Sequence, residues 1–375
     1  MSSSMQLLVD NQPVSDDLFS RIDTIEVEEN VDMPGAIELQ IAVGRSTDGD
    51  LDPVNDPALQ PFANVAVVVT ADGQPPECIF DGFILSQRIH LETGTTASTL
   101  RVWGQDASWL MNLEEKVREW SGMTDGMAAN SIFSEYGFIP APENTDDDSP
   151  AHTEDGQTLM QRATDVQFLQ LLARRGGKFA RVACGPLPGV RTGYFVRPNL
   201  DPPAEVTLNL NDKEQWNVAA LDVEWDVTRP TEVAARQALF TSSDETGVQG
   251  DTDSSELAPL DDRDLATFAG RSIKAQLTAN AFDADDLAMR ARALLTESGW
   301  FVRCEGDADV ARLKKVLRAA TVVELEGIGS VHSGKYFVWS VRHSITSVSH
   351  RMHFVLVRNA VGPAPAGGAF SGGGL

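Results

Sequence analysis

The chain has 375 residues, enough for two or more domains with a sizeable core, and carries a formal net charge of −25. That charge repels nucleic-acid backbones and argues against DNA binding. No apolar run approaches the ~20 residues of a membrane span and no basic-then-apolar leader opens the chain, so synthesis and folding in the cytosol are expected. The acidic excess fits solubility, a salt-rich habitat or an acidic lumen past which anionic cargo slides, and composition does not separate the three. Cys78, Cys184 and Cys304 are odd in number and far apart, which excludes a CxxC zinc knuckle and disfavours a disulfide framework; buried thiols are expected.

Residues 1–104 read as β-strands. RIDTIEVEENV and AIELQIAVG alternate apolar and polar positions, and NVAVVVTADG is a continuous apolar run ending in a turn. CIFDGFILSQRIHLETGTTASTLRVWGQD reads as two long strands about a Gly/Thr-rich turn at 93–96. An antiparallel barrel or sandwich follows.

Residues 105–200 read as a small α/β module. One helix takes Asp125 as N-cap and Gly137 as its closing glycine. A second is capped by Thr164 or Asp165, buries Phe168, Leu169, Leu171 and Leu172, places Arg174 and Arg175 at its negative end and stops at Gly176. A strand over 178–182 follows. AEVTLNLN and VAALDVEWDV return to strand pattern, and 241–264 is an acidic loop. Helices are expected near 265–278 and 284–298, the latter capped by Asp283 with a core stripe of Leu287, Ala291, Leu294 and Leu295. TVVELEGIG, GKYFVWSVRHSI and SHRMHFVLVRNA are closing strands, and 363–375 is a flexible Gly/Pro/Ala tail.

The last two strands hold His343, His350 and His353, three of six histidines. Read as an uninterrupted strand, 335–345 puts Phe337, Trp339, Val341 and His343 on one face. A tight turn at 346–347 then pairs Val341 with Met352, Trp339 with Phe354, Phe337 with Leu356 and His343 with His350. Two histidines converge without an acid or a thiol, whereas zinc asks for three or four ligands. A structural hairpin is therefore expected, with no catalytic, cofactor-binding or metal residues. GxSxG, GxxxxGK[ST] and HExxH do not occur. Acidic pairs such as Glu114–Glu115 and Asp285–Asp286 are inevitable among 55 acidic residues. The sequence ARRGGK at 173–178 ends a helix, so it is not a phosphate cradle.

IFDGFILSQRIHLETGTTASTLRVWGQDASWLMN, DVQFLQLLARRGGKFARV and GKYFVWSVRHSITSVSHRMHFVLVRNAVG, in this order, resemble the phage late control protein D family. That family includes the baseplate hubs of contractile phages and the hub part of VgrG in type VI secretion. The middle stretch carries the most specific match, through Phe168, Leu169, Leu172, Ala173 and Gly177. The resemblance implies a non-enzymatic homotrimer with two related antiparallel β-barrels per chain, one at 1–104 and one at 201–236 plus 316–362, with an acidic loop and helical insertion at 237–315. It implies as partners a hexameric inner tube, a spike on a separate chain and other baseplate components, with no cofactor, nucleic acid or membrane. The particle would be assembled in the bacterial cytoplasm and act as part of a phage tail, a tailocin or an extracellular or type VI-like injection system. GFILSQRIH at 82–90 and YFVWSVRHS at 336–344 agree with a duplication. Two other classes compete. A glycan-binding surface protein needs exposed aromatics, whereas Trp103, Trp225 and Trp339 sit in strand patterns and read as core. A peptidoglycan hydrolase needs a domain to hold it.

Overall fold

The structure is a computed structural model that describes residues 3–93, 97–145, 148–153, 158–211, 214–237, 248–281 and 283–363. All but the first residue of the tail expected at 363–375 lies outside them. The described residues are mainly β with α+β insertions, dominated by one thirteen-stranded, almost wholly antiparallel sheet.

Six strands, with a two-residue edge strand at Gln12–Pro13, build its first half: β1 (Ser3–Val9), β2 (Ile22–Asn30), β3 (Ala36–Ala42), β4 (Asn64–Ala71), β5 (Glu77–His90) and β6 (Thr99–Asp106). Their order across the sheet is β2-β3-β6-β5-β4-β1. Alternation in β3 sends Ile37, Leu39 and Ile41 into the main core. In β4 both faces are covered, which explains its unbroken apolar run: Val65, Val67 and Val69 join the main core, while Ala66 and Val68 pack with Cys78 and Cys184 on the other side.

The α/β module contains β7 (Glu115–Trp120), α1 (Asp125–Glu135), β8 (Leu159–Thr164), α2 (Asp165–Arg175), β9 (Phe179–Cys184) and β10 (Arg191–Val196). It has its own core of Trp120, Phe133, Phe168, Leu169, Leu172 and Phe195. Thr124, one residue before the expected Asp125, caps α1, and Thr164 caps α2. Leu171 faces solvent, against the expectation that it packs inward. It follows Leu169 by two positions, which turns it away from the buried stripe.

The second half contains β11 (Thr207–Asn209), β12 (Val218–Trp225), β13 (Glu232–Gln237), α3 (Leu265–Ala269), β14 (Lys274–Thr278), α4 (Ala284–Gly299), β15 (Val302–Asp309), β16 (Val322–Glu326), β17 (Gly334–Ile345) and β18 (His350–Arg358). The expected helix over 265–278 is corrected. The chain stops α3 at left-handed Gly270, and 274–278 pairs in parallel with β13. The expected α4 is present with Asp283 as its cap, and Leu287, Ala291 and Leu295 are buried against β13 and β14. The insertion's limits shift from 237–315 at both ends. Residues 302–309 pair with β12 and β18 in the main sheet, whereas 232–237 pair with β14 inside the insertion.

The strand order of this half is β12-β15-β18-β17-β16-β11. It repeats the first half strand for strand, in space and along the chain, with β11 matching β1, β12 matching β2, and so on to β18 matching β6. Two irregularities coincide as well. In β5 the pairing passes from Ile84↔Gly104 to Ser86↔Trp103, leaving Leu85 bulged; in β17 it passes from Val338↔Leu356 to Ser340↔Val355, leaving Trp339 bulged. In β2 Asp23 is bulged between Ile22 and Thr24, and in β12 Ala219 is bulged between Val218 and Ala220. A bulge is a single extra residue that reverses the facing of everything after it, so its coincidence at two matched places aligns one half on the other residue by residue. The units differ at the edge, where β1 meets β4 antiparallel and β11 meets β16 in parallel.

Candidate assembly site at the seam between the repeats

The two units are joined through one antiparallel pair. Residues 340–345 of β17 lie along β2, with Ser340↔Asn30, Val341↔Glu29, Arg342↔Glu28, His343↔Val27, Ser344↔Glu26 and Ile345↔Ile25. The other half of β17 pairs with β16. On the core face Ile25, Val27, Val341 and Ile345 are buried. On the outer face Arg342 reaches Glu28 at 2.9 Å. This strand-to-strand joint is the part of the fold that sets one repeat against the next.

The hairpin histidines lie at this seam, in a register different from the expected one. Val341 faces Phe354, His343 faces Met352 and Ile345 faces His350. The Trp339 bulge is the cause. It turns Phe337 and Trp339 to the opposite side, where Phe337 stacks with Phe179 and Trp300 and Trp339 meets both edge-on, while Val338 and Val341 stay in the main core. His343 and His350 still meet as diagonal neighbours, with Nδ1 of one 3.1 Å from Nε2 of the other, both buried. Burial and the neighbouring His343 push the His350 imidazole down to about 3, so it is neutral in the native protein at ordinary pH. His353 is on the other face, 3.2 Å from Asp307. Among the described residues no group of three or more His, Cys, Asp or Glu is placed to hold a metal ion.

Sequence reasoning missed the charged groups that brace the seam. Arg318 Nε donates to Glu29 at 2.7 Å, and His343 Nε2 lies 3.7 Å from the same carboxylate. Burial alone would raise the Glu29 carboxyl, but the Arg318 charge and the neighbouring imidazole outweigh it and hold the group below its ordinary value. Arg358 is fully buried; it donates to the carbonyls of His332 and Ser333 at 3.3 and 3.1 Å and pairs with Asp261. Asp81, also buried, accepts from Arg191 and from the Gly189 N–H, both at 2.7 Å, and ties β5 to the module. Asp106 sits where β6 runs into the module; burial pushes its carboxyl up to about 6 despite bonds from Ser108 and the Gly35 N–H. The expectation that Trp103 and Trp225 are core is corrected, since both are exposed. Trp103 follows the β5–β6 irregularity on the outer face, and Trp225 ends a strand with one partner.

What the geometry of these braces and of the paired strands organises is the joining of like units. A family model described as the Alg8 N-terminal domain matches residues 2–347. The chain belongs to that family. No curated protein matches it. Its fold is that of several solved tail proteins. A tail protein from Neisseria meningitidis MC58 superposes with a TM-score of 0.67 at 14% identity, covering 96% of this chain and 97% of that one. The 43 kDa tail protein of prophage MuSo2 from Shewanella oneidensis gives 0.66 at 16% identity, covering 95% and 98%. The E. coli c3393 protein, a component of the type VI secretion system, gives 0.53 at 14% identity, covering 97% and 80%. The family model that matches is the Alg8 N-terminal domain, and the likeness to tail and type VI proteins holds at the level of fold.

Proposed function

We propose that this Alg8 N-terminal domain protein is the structural hub of a contractile injection particle or phage tail, a homotrimer that joins a hexameric inner tube to a spike. The observation that carries the reading is the internal duplication with its two matched bulges. A trimer of a two-unit chain offers six equivalent units, which is what a hexameric ring needs in order to seat without a symmetry mismatch. The shared fold with phage-tail and type VI proteins supports the same class. No catalytic role is assigned, and the buried histidines, Glu29, Arg318 and Arg358 serve the framework. The test is light scattering of the purified chain alone and with its spike, followed by electron microscopy with the tube protein. A trimer capped by a six-fold ring is expected; a monomer in every mixture overturns the proposal.

A further inference from the structure

The seam inside the chain has a counterpart that is left open. Strand β4 covers β5 over residues 64–69 against 77–83, so among the described residues 86–90 of β5 pair with β6 on one side alone. Strand β12 ends the sheet and pairs with β15 alone among the described residues. By the matched bulges, residues 86–90 correspond to 340–344 of β17, and 222–225 of β12 correspond to 26–29 of β2. Those are the segments that pair at the internal seam. The two open edges are therefore the two halves of the same joint.

We infer that β12 of one copy pairs antiparallel with residues 86–91 of a second copy, in the register of the internal seam. This rests on the hub reading and names the surface by which the trimer would close. The register sets Gln87 opposite Trp225, Arg88 opposite Glu224, Ile89 opposite Val223, His90 opposite Asp222 and Leu91 opposite Leu221.

The chemistry of the two edges agrees with this register. Arg88 and Glu224 match Arg342 and Glu28, the ion pair of the internal seam. Within its own chain Arg88 stands directly opposite Arg101, a like-charge neighbour that an arriving Glu224 offsets. His90 meets acidic Asp222. On the other face Ile89, Leu91, Val223 and Trp225 are 41%, 53%, 38% and 51% exposed, whereas Ile345 and Val27, the counterparts of Leu91 and Val223, are buried at 3% and 0%. An open edge studded with apolar side chains is an aggregation hazard, and a second copy removes it. The two edges differ from each other, so the contact is head-to-tail, the kind that forms a ring when its rotation closes.

The test uses the full chain. Protein carrying only Ile89→Cys is mixed with protein carrying only Val223→Cys, and the mixture is oxidised or treated with a short bis-maleimide. The unsubstituted protein, whose cysteines are Cys78, Cys184 and Cys304, serves as the control. A covalent dimer between the two variants, absent from each alone, is expected. Independently, Arg88→Glu or Glu224→Arg is expected to weaken association by about tenfold, and the two together to restore it. Both sites are exposed, and circular dichroism checks that each variant is folded. An oligomer that forms normally yet shows neither the link nor the charge rescue overturns this register and leaves the hub reading standing. A chain that is monomeric and never links overturns both.

Discussion

Replacing His350 by glutamine isolates the cost of burying an imidazole at the seam. The ordinary histidine value of 6.5 falls to about 3 in the native protein. Between those values the unfolded chain takes up a proton that the folded chain refuses, so His350 lowers stability as the pH falls through the window and has no such effect above it. The whole window is worth ~5 kcal/mol, and the part reached by about pH 5 is worth about 2 kcal/mol. Asp106 acts in the opposite direction over part of the same range. Its native value of about 6 lies above the unfolded 3.8, so its contribution improves as the pH falls from about 6. The wild-type profile alone therefore mixes two signs, and the difference between wild type and His350→Gln removes the groups they share. Glutamine keeps an amide within reach of His343 Nδ1, where His350 Nε2 now lies at 3.1 Å. The assay is guanidinium unfolding of both proteins at about pH 8 and about pH 5. Wild type is expected to lose about 2 kcal/mol more than the variant over that interval. A difference that stays constant within about 0.5 kcal/mol would refute the burial argument.

Three further outcomes are expected. Gly82→Ala places a Cβ 2.0 Å from the Gln105 carbonyl oxygen across the β5–β6 pair, so backbone must move; a loss of about 3 kcal/mol or more is expected in thermal or chemical unfolding, and near-neutrality would contradict the strand spacing. Arg358→Met strands the two carbonyls and Asp261 that the guanidinium serves, with an expected cost of about 3 kcal/mol; Asp261→Asn, at a partly exposed partner, should cost less. Cys304 is buried, and burial pushes its thiol up to about 11, so iodoacetamide should label it at least about a hundredfold more slowly than a free thiol until the protein unfolds; mass-spectrometric mapping of the labelled site decides.

The elements of the first repeat and the module were largely legible because their signals are local. Alternation marked β2 and β3, Thr164 and Gly176 bracketed α2, and Asp283 announced α4. Two kinds of information were hidden. The Trp339 bulge leaves no local trace, because tryptophan suits an uninterrupted strand and the apolar positions on both sides of it kept an apparent alternation. The register of the last hairpin therefore slipped, although the meeting of His343 with His350 survived as a diagonal contact. KAQLT at 274–278 read as helix because Ala, Gln, Leu and Lys all favour one, and only its parallel partner β13, some forty residues away, makes it a strand. The seam itself joins segments about 310 residues apart, such as Glu28 and Arg342, and nothing in either segment's own pattern names the other. The braces Glu29–Arg318 and Arg358–Asp261 were missed for the same reason.

The matched bulges also bear on how kinship is recorded in a chain. At the two paired irregularities the residues differ: Leu85 stands against Trp339, and Asp23 against Ala219. The residues at these two places differ between the halves while the extra step in the backbone is the same; removing that step would turn every later side chain inside out at once, whereas a side chain can change one at a time. Defects in a ladder are thus slower to erase than the letters that fill it. Distant members of such families are better aligned by where their strands stumble than by which residues they carry.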